Sequence, residues 1–226
     1  MAHPQIVRAH IERKDFTLYY DYDQLRDGKL SRLTDDGKIE WFRLRMNFVF
    51  LEPLSSLYQG KTPAYRALNS TKQNDLPARS FVIPSFSVLL NGVEALGSFT
   101  TKRKSGNRDN FFAFMTTYMK PWDRNVPNSP YSTGDLKTIL WEHFRNGIAH
   151  GFCIERGGID NEADADRWLV VVDPTRSGST TKRLEIGPNA FFRDFRAGVD
   201  RFFEAVKKDR VQRAAFFRRF REVYPT

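Results

Sequence analysis

Among its 226 residues the chain has a single cysteine, Cys153. An intramolecular disulfide is therefore excluded, and nothing favours an oxidising compartment. Long hydrophobic runs are also lacking, since apolar stretches such as residues 168–172 are far shorter than the roughly 20 residues of a membrane-spanning helix. Residues 1–15 carry charges throughout and have no apolar segment of a signal peptide. These absences favour a cytoplasmic protein with no membrane partner.

Several signatures of enzyme chemistry are missing. No glycine-rich loop ends in Lys-Ser or Lys-Thr, which excludes a P-loop nucleotide site, and no Gly-x-Ser-x-Gly elbow is present. Histidine is scarce, with four residues. His143 and His150 lie seven positions apart without a third ligand, which is poor zinc chemistry, and residues 160–166 lack the central glycine of a calcium loop. We therefore expect neither a metal nor another cofactor.

Phenylalanine and positive charge are plentiful. Twenty Phe residues bring the aromatic share to 14%, so a substantial aromatic core is expected. The formal net charge is +9, and it is unevenly placed: residues 182–226 hold twelve Lys/Arg against six Asp/Glu, and residues 101–124 hold six against two. A basic surface favours anionic partners, nucleic acid above all. The simpler interpretation of any one basic cluster is a solvated helix face.

Hydrophobic periodicity predicts a mainly α-helical protein. Residues 1–79 are expected to form an N-terminal helical extension, with helices over 6–25 and 39–58, and residues 80–226 a helical bundle. In the bundle, a helix from Pro84 to about Gly97 is expected to bury Phe86, Leu89, Leu90, Val93 and Leu96, and a short helix follows over 111–119. A helix from Asp135 to about Gly151 is expected to bury Leu136, Leu140, Phe144 and Ile148.

A small antiparallel β-meander is predicted over residues 152–187, inserted before the last core helices. Its strands are expected at 152–155, 168–173 and 183–186. The chain then returns to helix, with Asn189 as a cap and a stripe formed by Phe192, Phe195, Val199, Phe202 and Val206. A final helix over 212–224 is expected to bury Phe216, Phe217, Phe220 and Val223.

Residues 140–152, LWEHFRNGIAHGF, carry the most coherent chemical arrangement in the chain. Arg145 is followed by Asn146 and, five residues on, by His150. Imidazole moves protons near neutral pH, and a guanidinium suits phosphate oxygens whose charge is growing. On an α-helix, however, Arg145 lies about 140° from His150. The two side chains therefore converge only if the helix is distorted near Gly147 or if a second copy of the chain completes the site.

The same helical geometry places His143, Asn146 and His150 on one face, with Glu142 beside it. A plain structural alternative is equally consistent with the spacing. In that alternative, Arg145 pairs with Glu142 and His150 stabilises the end of the helix.

The motif resembles that of the HEPN superfamily, the higher eukaryotes and prokaryotes nucleotide-binding domains. Those helical bundles are marked by an Arg, a following polar residue and a His a few positions further on. The resemblance covers roughly residues 80–208, including an apolar helix with an embedded acid, Glu94. It implies a HEPN-like helical bundle, made divergent by the β insertion and by Phe152, where one toxin branch has Tyr. Many members resemble metal-independent ribonucleases that act as dimers in toxin–antitoxin and other defence systems.

The resemblance implies an endoribonuclease in which Arg145, His150 and Asn146 are catalytic. Attack of a ribose 2′-hydroxyl on the adjacent phosphorus would be assisted by His150 and stabilised by Arg145. Supporting roles fall to Glu142, His143 and Glu94, the last by contacting Arg145 from a neighbouring helix. Substrate-binding residues are expected at Lys102, Arg103 and Lys104.

The partners implied are RNA, a second copy of the chain in a homodimer, and an antitoxin or other protein. A second hypothesis is a catalytically inactive HEPN-like module that binds RNA or a protein, because some members have lost activity. A third is a structural helical protein whose Arg–His motif stabilises a dimer seam.

Overall fold

The computed structural model of the chain describes residues 30–58, 82–101, 106–122, 126, 129–151, 157–159, 168–172 and 183–224. At 56–58, 82, 149–151, 170, 172 and 183 it describes the backbone alone. The helix predicted over 6–25, the strand predicted over 152–155 and the substrate-binding residues Lys102, Arg103 and Lys104 lie outside the described residues.

The fold is mainly helical, as the periodicity predicts. In chain order the elements are a 3-10 turn at Leu30–Arg32, α1 at Asp35–Arg45, a π-helix π1 at Met46–Leu51, α2 at Glu52–Tyr58, α3 at Val82–Thr100, α4 at Asn107–Tyr118, α5 at Thr133–Thr138, a second π-helix π2 at Ile139–Gly151, β1 at Gly158–Ile159, β2 at Leu169–Val172, β3 at Arg183–Ile186, α6 at Pro188–Lys208 and α7 at Arg210–Val223. Among the described residues, no helix is both long enough and apolar enough to cross a bilayer.

Short polar side chains fix where the helices begin. The Ser132 hydroxyl accepts the Asp135 N–H at the start of α5, and the Asp135 carboxylate accepts the Ser132 N–H, which completes a capping box. Asp135 is thus the first-turn acid that the sequence indicates. The predicted cap Asn189 is wrong, because Gly187 precedes the first residue of α6 and Pro188 begins the helix. Proline suits that first position, where its missing N–H has no intrahelical partner.

One hydrophobic core joins all the helical layers. The stripes predicted on α3, on α6 and along α5–π2 are buried at every position. The last third of the chain has three pairs of adjacent phenylalanines, and both members of each pair are buried: Phe191 and Phe192, Phe202 and Phe203, Phe216 and Phe217. Phe42 of α1 lies 6.0 Å from Phe203 and 5.6 Å from Phe216, measured between ring centroids. α1 therefore covers one ring in each of two phenylalanine pairs, Phe203 in one and Phe216 in the other. Val223, predicted to be buried, is 38% exposed in the last turn of α7.

The described part of the N-terminal segment, residues 30–58, contributes to the same core as the bundle. The predicted domain boundary near residue 79 falls outside the described residues and stays a prediction.

Gly97 lies near the end of its helix, as predicted, and α3 continues to Thr100. A β-carbon at Gly97 would overlap the carbonyl oxygen of Asn110 on α4. The glycine is needed because the two helix backbones cross in contact at that point.

The small sheet is mixed, with strand order β1-β3-β2. β2 and β3 are antiparallel, with Leu169 opposite Ile186, which agrees with the prediction. β1 instead pairs in parallel with β3, so the predicted antiparallel meander is wrong for this strand. A β-carbon at Gly157 would overlap both the Phe144 ring and the Leu184 carbonyl oxygen. This bare backbone lets the chain reach the edge of β3 beside π2.

Candidate active site

The candidate site lies on π2, which continues directly from α5. The sequence predicts an α-helix here, but hydrogen bonds of a π-helix join residues five apart, and one turn takes roughly four to five residues. Position 150 lies five residues from Arg145 and four from Asn146. The backbone therefore places position 150 one turn beyond these two residues, on the same side of the helix. The offset of about 140° expected on an α-helix is reduced to roughly 50° at about 4.4 residues per turn, and the distortion anticipated near Gly147 extends through the whole segment.

The Arg145 guanidinium is held against α3 by the carboxylate of Glu94. Its Nε lies 2.9 Å from Oε2 of Glu94 and its Nη2 lies 2.5 Å from the same oxygen. The two side chains are 13% and 16% exposed, so this charge-assisted pair is largely removed from water. The contact expected between Glu94 and Arg145 is thus present.

An aromatic ring and two polar side chains complete the surroundings of the guanidinium. The Arg145 Cζ lies 5.0 Å from the centroid of the Trp141 ring, within the range of a cation–π interaction. Its Nη1 donates to Asn146 Oδ1 at 3.2 Å, and Asn146 Nδ2 donates to Glu142 Oε2 at 3.3 Å. The structural alternative that pairs Arg145 with Glu142 is therefore wrong, because Glu142 accepts from Asn146 and Glu94 takes the arginine.

The guanidinium retains capacity for a further ligand. It carries five N–H donors, of which Glu94 accepts two and Asn146 accepts one. In the part of the chain that the structure describes, the other two have no acceptor. A planar group with two remaining donors and a positive charge is suited to a phosphate.

Trp141 is the contributor that sequence reasoning missed. It is 9% exposed and packs against Phe111 of α4, with ring centroids 5.7 Å apart. The available signal was its position four residues before Arg145, a spacing at which helical side chains meet. His143, assigned a supporting role, is half-buried on π2. For His150 the structure gives the backbone position.

Comparisons with protein-family models, curated proteins and solved structures found no match to this chain. The HEPN relationship accordingly stays a prediction from the motif. Among the described residues, no group of three or more His, Cys, Asp or Glu side chains is arranged to hold a metal ion. The functional case rests on the arrangement around Arg145.

Proposed function

We propose that the chain is a metal-independent, HEPN-like endoribonuclease in which Arg145 and His150 cleave RNA. The observation that carries the proposal is the π-helical backbone of residues 139–151. It brings position 150 to the side of the helix that carries Arg145, whose guanidinium has two N–H donors left within the described residues. π-Bulges inside α-helices are frequent at functional sites, and here the π-helical winding reduces the angle that argues against an Arg–His pair.

The proposed reaction is attack of a ribose 2′-oxygen on the adjacent phosphorus. The 2′-O–P bond forms, the bond from phosphorus to the 5′-oxygen breaks, and the products are a 2′,3′-cyclic phosphate and a 5′-hydroxyl. The His150 imidazole takes the 2′-hydroxyl proton or donates one to the leaving oxygen. Arg145 stabilises the charge that grows on the phosphorane oxygens. Asn146 fixes the guanidinium through its amide oxygen.

The two proton transfers call for two imidazoles. We propose that a homodimer supplies them, one from each copy across a two-fold axis, because such an interface uses the same surface twice. The proposal extends to a cytoplasmic toxin or defence effector, restrained by an antitoxin or another protein.

One observation favours the second hypothesis, a catalytically inactive module that binds RNA or a protein. Arg145 is largely buried and already paired with Glu94. A buried ion pair of this kind is also what a helix-to-helix clamp requires. Cleavage activity distinguishes the two hypotheses.

The test is incubation of the purified protein with total RNA in excess EDTA, alongside Arg145→Ala and His150→Ala. Both variants are expected to lose activity by about 10²-fold or more, the usual contribution of general acid–base or oxyanion catalysis. Arg221→Ala is the matched control, because it removes the same charge from an exposed position on α7. Wild-type cleavage must yield cyclic phosphate termini.

Cleavage that EDTA abolishes, or that survives both substitutions, contradicts the proposal. Binding of RNA without cleavage in any sample supports the inactive module instead. Circular dichroism of each variant separates loss of chemistry from loss of fold.

A further inference from the structure

The exposed face of α3 carries more than the Glu94 contact. Two arginines of α7 also donate to it: Arg219 Nε to the Ser98 hydroxyl at 3.1 Å, and Arg218 Nη2 to the Thr101 carbonyl at 2.6 Å. The three contact points are residues 94, 98 and 101, which share one side of a helix because they stand at i, i+4 and i+7. Arg145, Arg219 and Arg218 therefore follow one another along a single face.

Their spacing suits a nucleic-acid strand. With a rise of about 1.5 Å per residue, the contact points at 94 and 101 are roughly 10 Å apart along α3. A stacked strand advances about 3.4 Å per nucleotide. The three contact points thus extend over about three nucleotide steps.

Each of the two arginines of α7 donates to one neutral group, Arg219 to a hydroxyl and Arg218 to a carbonyl. Those two contacts do not cancel the charge of either arginine. The acid beside them is Glu222, whose carboxylate lies 2.8 Å from Arg219 Nη1 and 4.0 Å from Arg218 Nη1. Its side chain is 44% exposed, so water screens its charge from the two arginines. Arg218 and Arg219 are themselves 28% and 37% exposed.

The side of α3 along these contact points carries short side chains. Ala95 is exposed between them, Asn91 is exposed one turn before Glu94, and Ser98 is half-buried. These side chains are short, so a sugar–phosphate backbone can approach α3 closely along this strip.

We propose that this face of α3 is a phosphate-binding track for single-stranded RNA, with Arg218 and Arg219 holding the backbone beyond the phosphate at Arg145. The inference rests on the proposed function and deepens it by naming how the substrate strand is held. Anionic lipid surfaces and acidic proteins are the competing ligands.

The test measures binding of a fluorescent 2′-O-methyl oligonucleotide, which cannot be cleaved because its 2′-oxygen is blocked. The variant Arg218→Gln/Arg219→Gln removes two phosphate contacts. For single strands each contact contributes about 0.7 to the slope of log K against log salt. We expect the slope to fall by about 1.4 and binding to weaken roughly 10- to 30-fold at 0.1 M salt.

The matched control is Arg210→Gln/Arg221→Gln. It removes the same charge from exposed positions on the same helix, which point roughly 110–130° away from the direction midway between Arg218 and Arg219 at about 100° per residue. For this control, the slope of log K against log salt is expected to change by less than about a third of the change expected for the test variant. The variant Arg218→Lys/Arg219→Lys keeps the charges and is expected to restore most of the slope, which shows that lost binding is not lost folding.

Equal weakening by the two Gln variants would mean a diffuse field rather than a track and overturns the proposal. So does failure of the wild-type protein to bind the oligonucleotide, whether or not it binds phosphatidylserine vesicles or an acidic protein. Cleavage of ordinary RNA is scored separately. If the test variant binds the oligonucleotide more weakly but the wild type does not cleave RNA, the phosphate track stands and the ribonuclease proposal is refuted. If the wild type cleaves RNA but the test variant binds as tightly as wild type, only the track is refuted.

Discussion

Replacing Glu94 by Gln isolates the charge that holds Arg145. The substitution keeps the shape of the side chain and one carbonyl oxygen, but the guanidinium loses its carboxylate partner. Hydrogen bonds to a charged acceptor contribute about 1.5–3 kcal/mol and neutral ones about 0.5–1.5. Because the two side chains are 13% and 16% exposed, some water reaches the pair. We therefore expect the free energy of unfolding to fall by about 1–2 kcal/mol.

That loss has a measurable thermal counterpart. For a chain of this size, each kcal/mol lowers the melting temperature by about 2–4 °C, so the variant is expected to melt about 3–6 °C lower. Glu204→Gln is the control, because Glu204 is also ion-paired, with Lys208, but lies exposed on α6. Its melting temperature is expected to stay within error of wild type.

Glu94→Gln is expected to strengthen RNA binding and to slow the chemical step. A phosphate on the open side of the guanidinium is repelled by the Glu94 carboxylate by about 1 kcal/mol. Removing that charge is expected to lower KM for RNA about fivefold. The arginine also loses its fixed direction, and misplaced catalytic groups are costly, so kcat is expected to fall by at least about tenfold.

The assay is steady-state cleavage of a fluorogenic RNA in EDTA, with thermal melts of the same preparations. If stability falls while kcat and KM both stay at the wild-type values, Glu94 is a structural clamp and the positioning argument is wrong. If KM rises, the Glu94 charge does not oppose the phosphate, and the assigned binding side of the guanidinium is wrong.

Three further predictions concern the scaffold. Burial raises the pKa of Tyr118 to about 12, with Asp209 adding to the shift. Because the phenol ionises near 10 in the unfolded chain, its contribution to stability is fully present below pH 10 and is lost as the pH rises towards 12. Tyr118→Phe is expected to remove this decline in alkaline urea titrations. Gly97→Ala forces a β-carbon onto the Asn110 carbonyl and is expected to cost about 2–4 kcal/mol in guanidinium unfolding, whereas Gly106→Ala, which meets nothing within 4 Å, should cost less than about 1 kcal/mol. Asp194→Ala leaves the buried Trp168 indole N–H and the partly buried Lys120 backbone N–H without their acceptor and is expected to cost about 2–3 kcal/mol in the same unfolding measurement.

The helical core was predictable because burial follows simple periodicity. The stripe on α6 from Phe192 to Val206 recurs at three- and four-residue spacings, and every member is buried. Contacts between residues distant in sequence were not predictable in this way. Gly97 was placed near the end of its helix, but the periodicity did not indicate its close approach to Asn110 on another helix. The parallel pairing of β1 likewise joins Gly158 and Ile159 to residues of β3 that lie far along the chain.

Within the candidate site, the residue types were predictable but their relative direction was not. Leu136, Leu140, Phe144 and Ile148 recur every four residues. That spacing keeps one face buried in an α-helix and equally in a helix with between four and five residues per turn. The hydrophobic pattern therefore cannot distinguish an α-helix from a π-helix here. The two helices nevertheless place position 150 at angles about the axis, relative to Arg145, that differ by about a quarter of a turn.

The contacts that hold Arg145 lie within the π-helical segment and tie it to its neighbours. Glu94 and Trp141 fix residue 145, and Phe144 is locked against Gly157 at the start of the sheet. Rewinding the segment into an α-helix with these contacts intact would carry position 150 away from the guanidinium, since each residue would turn further about the axis. In the proposed ribonuclease, the Glu94–Arg145 ion pair would therefore help to align the catalytic groups instead of competing with the substrate. Weakening Glu94 is expected to disturb the direction of Arg145 and its alignment with position 150 together.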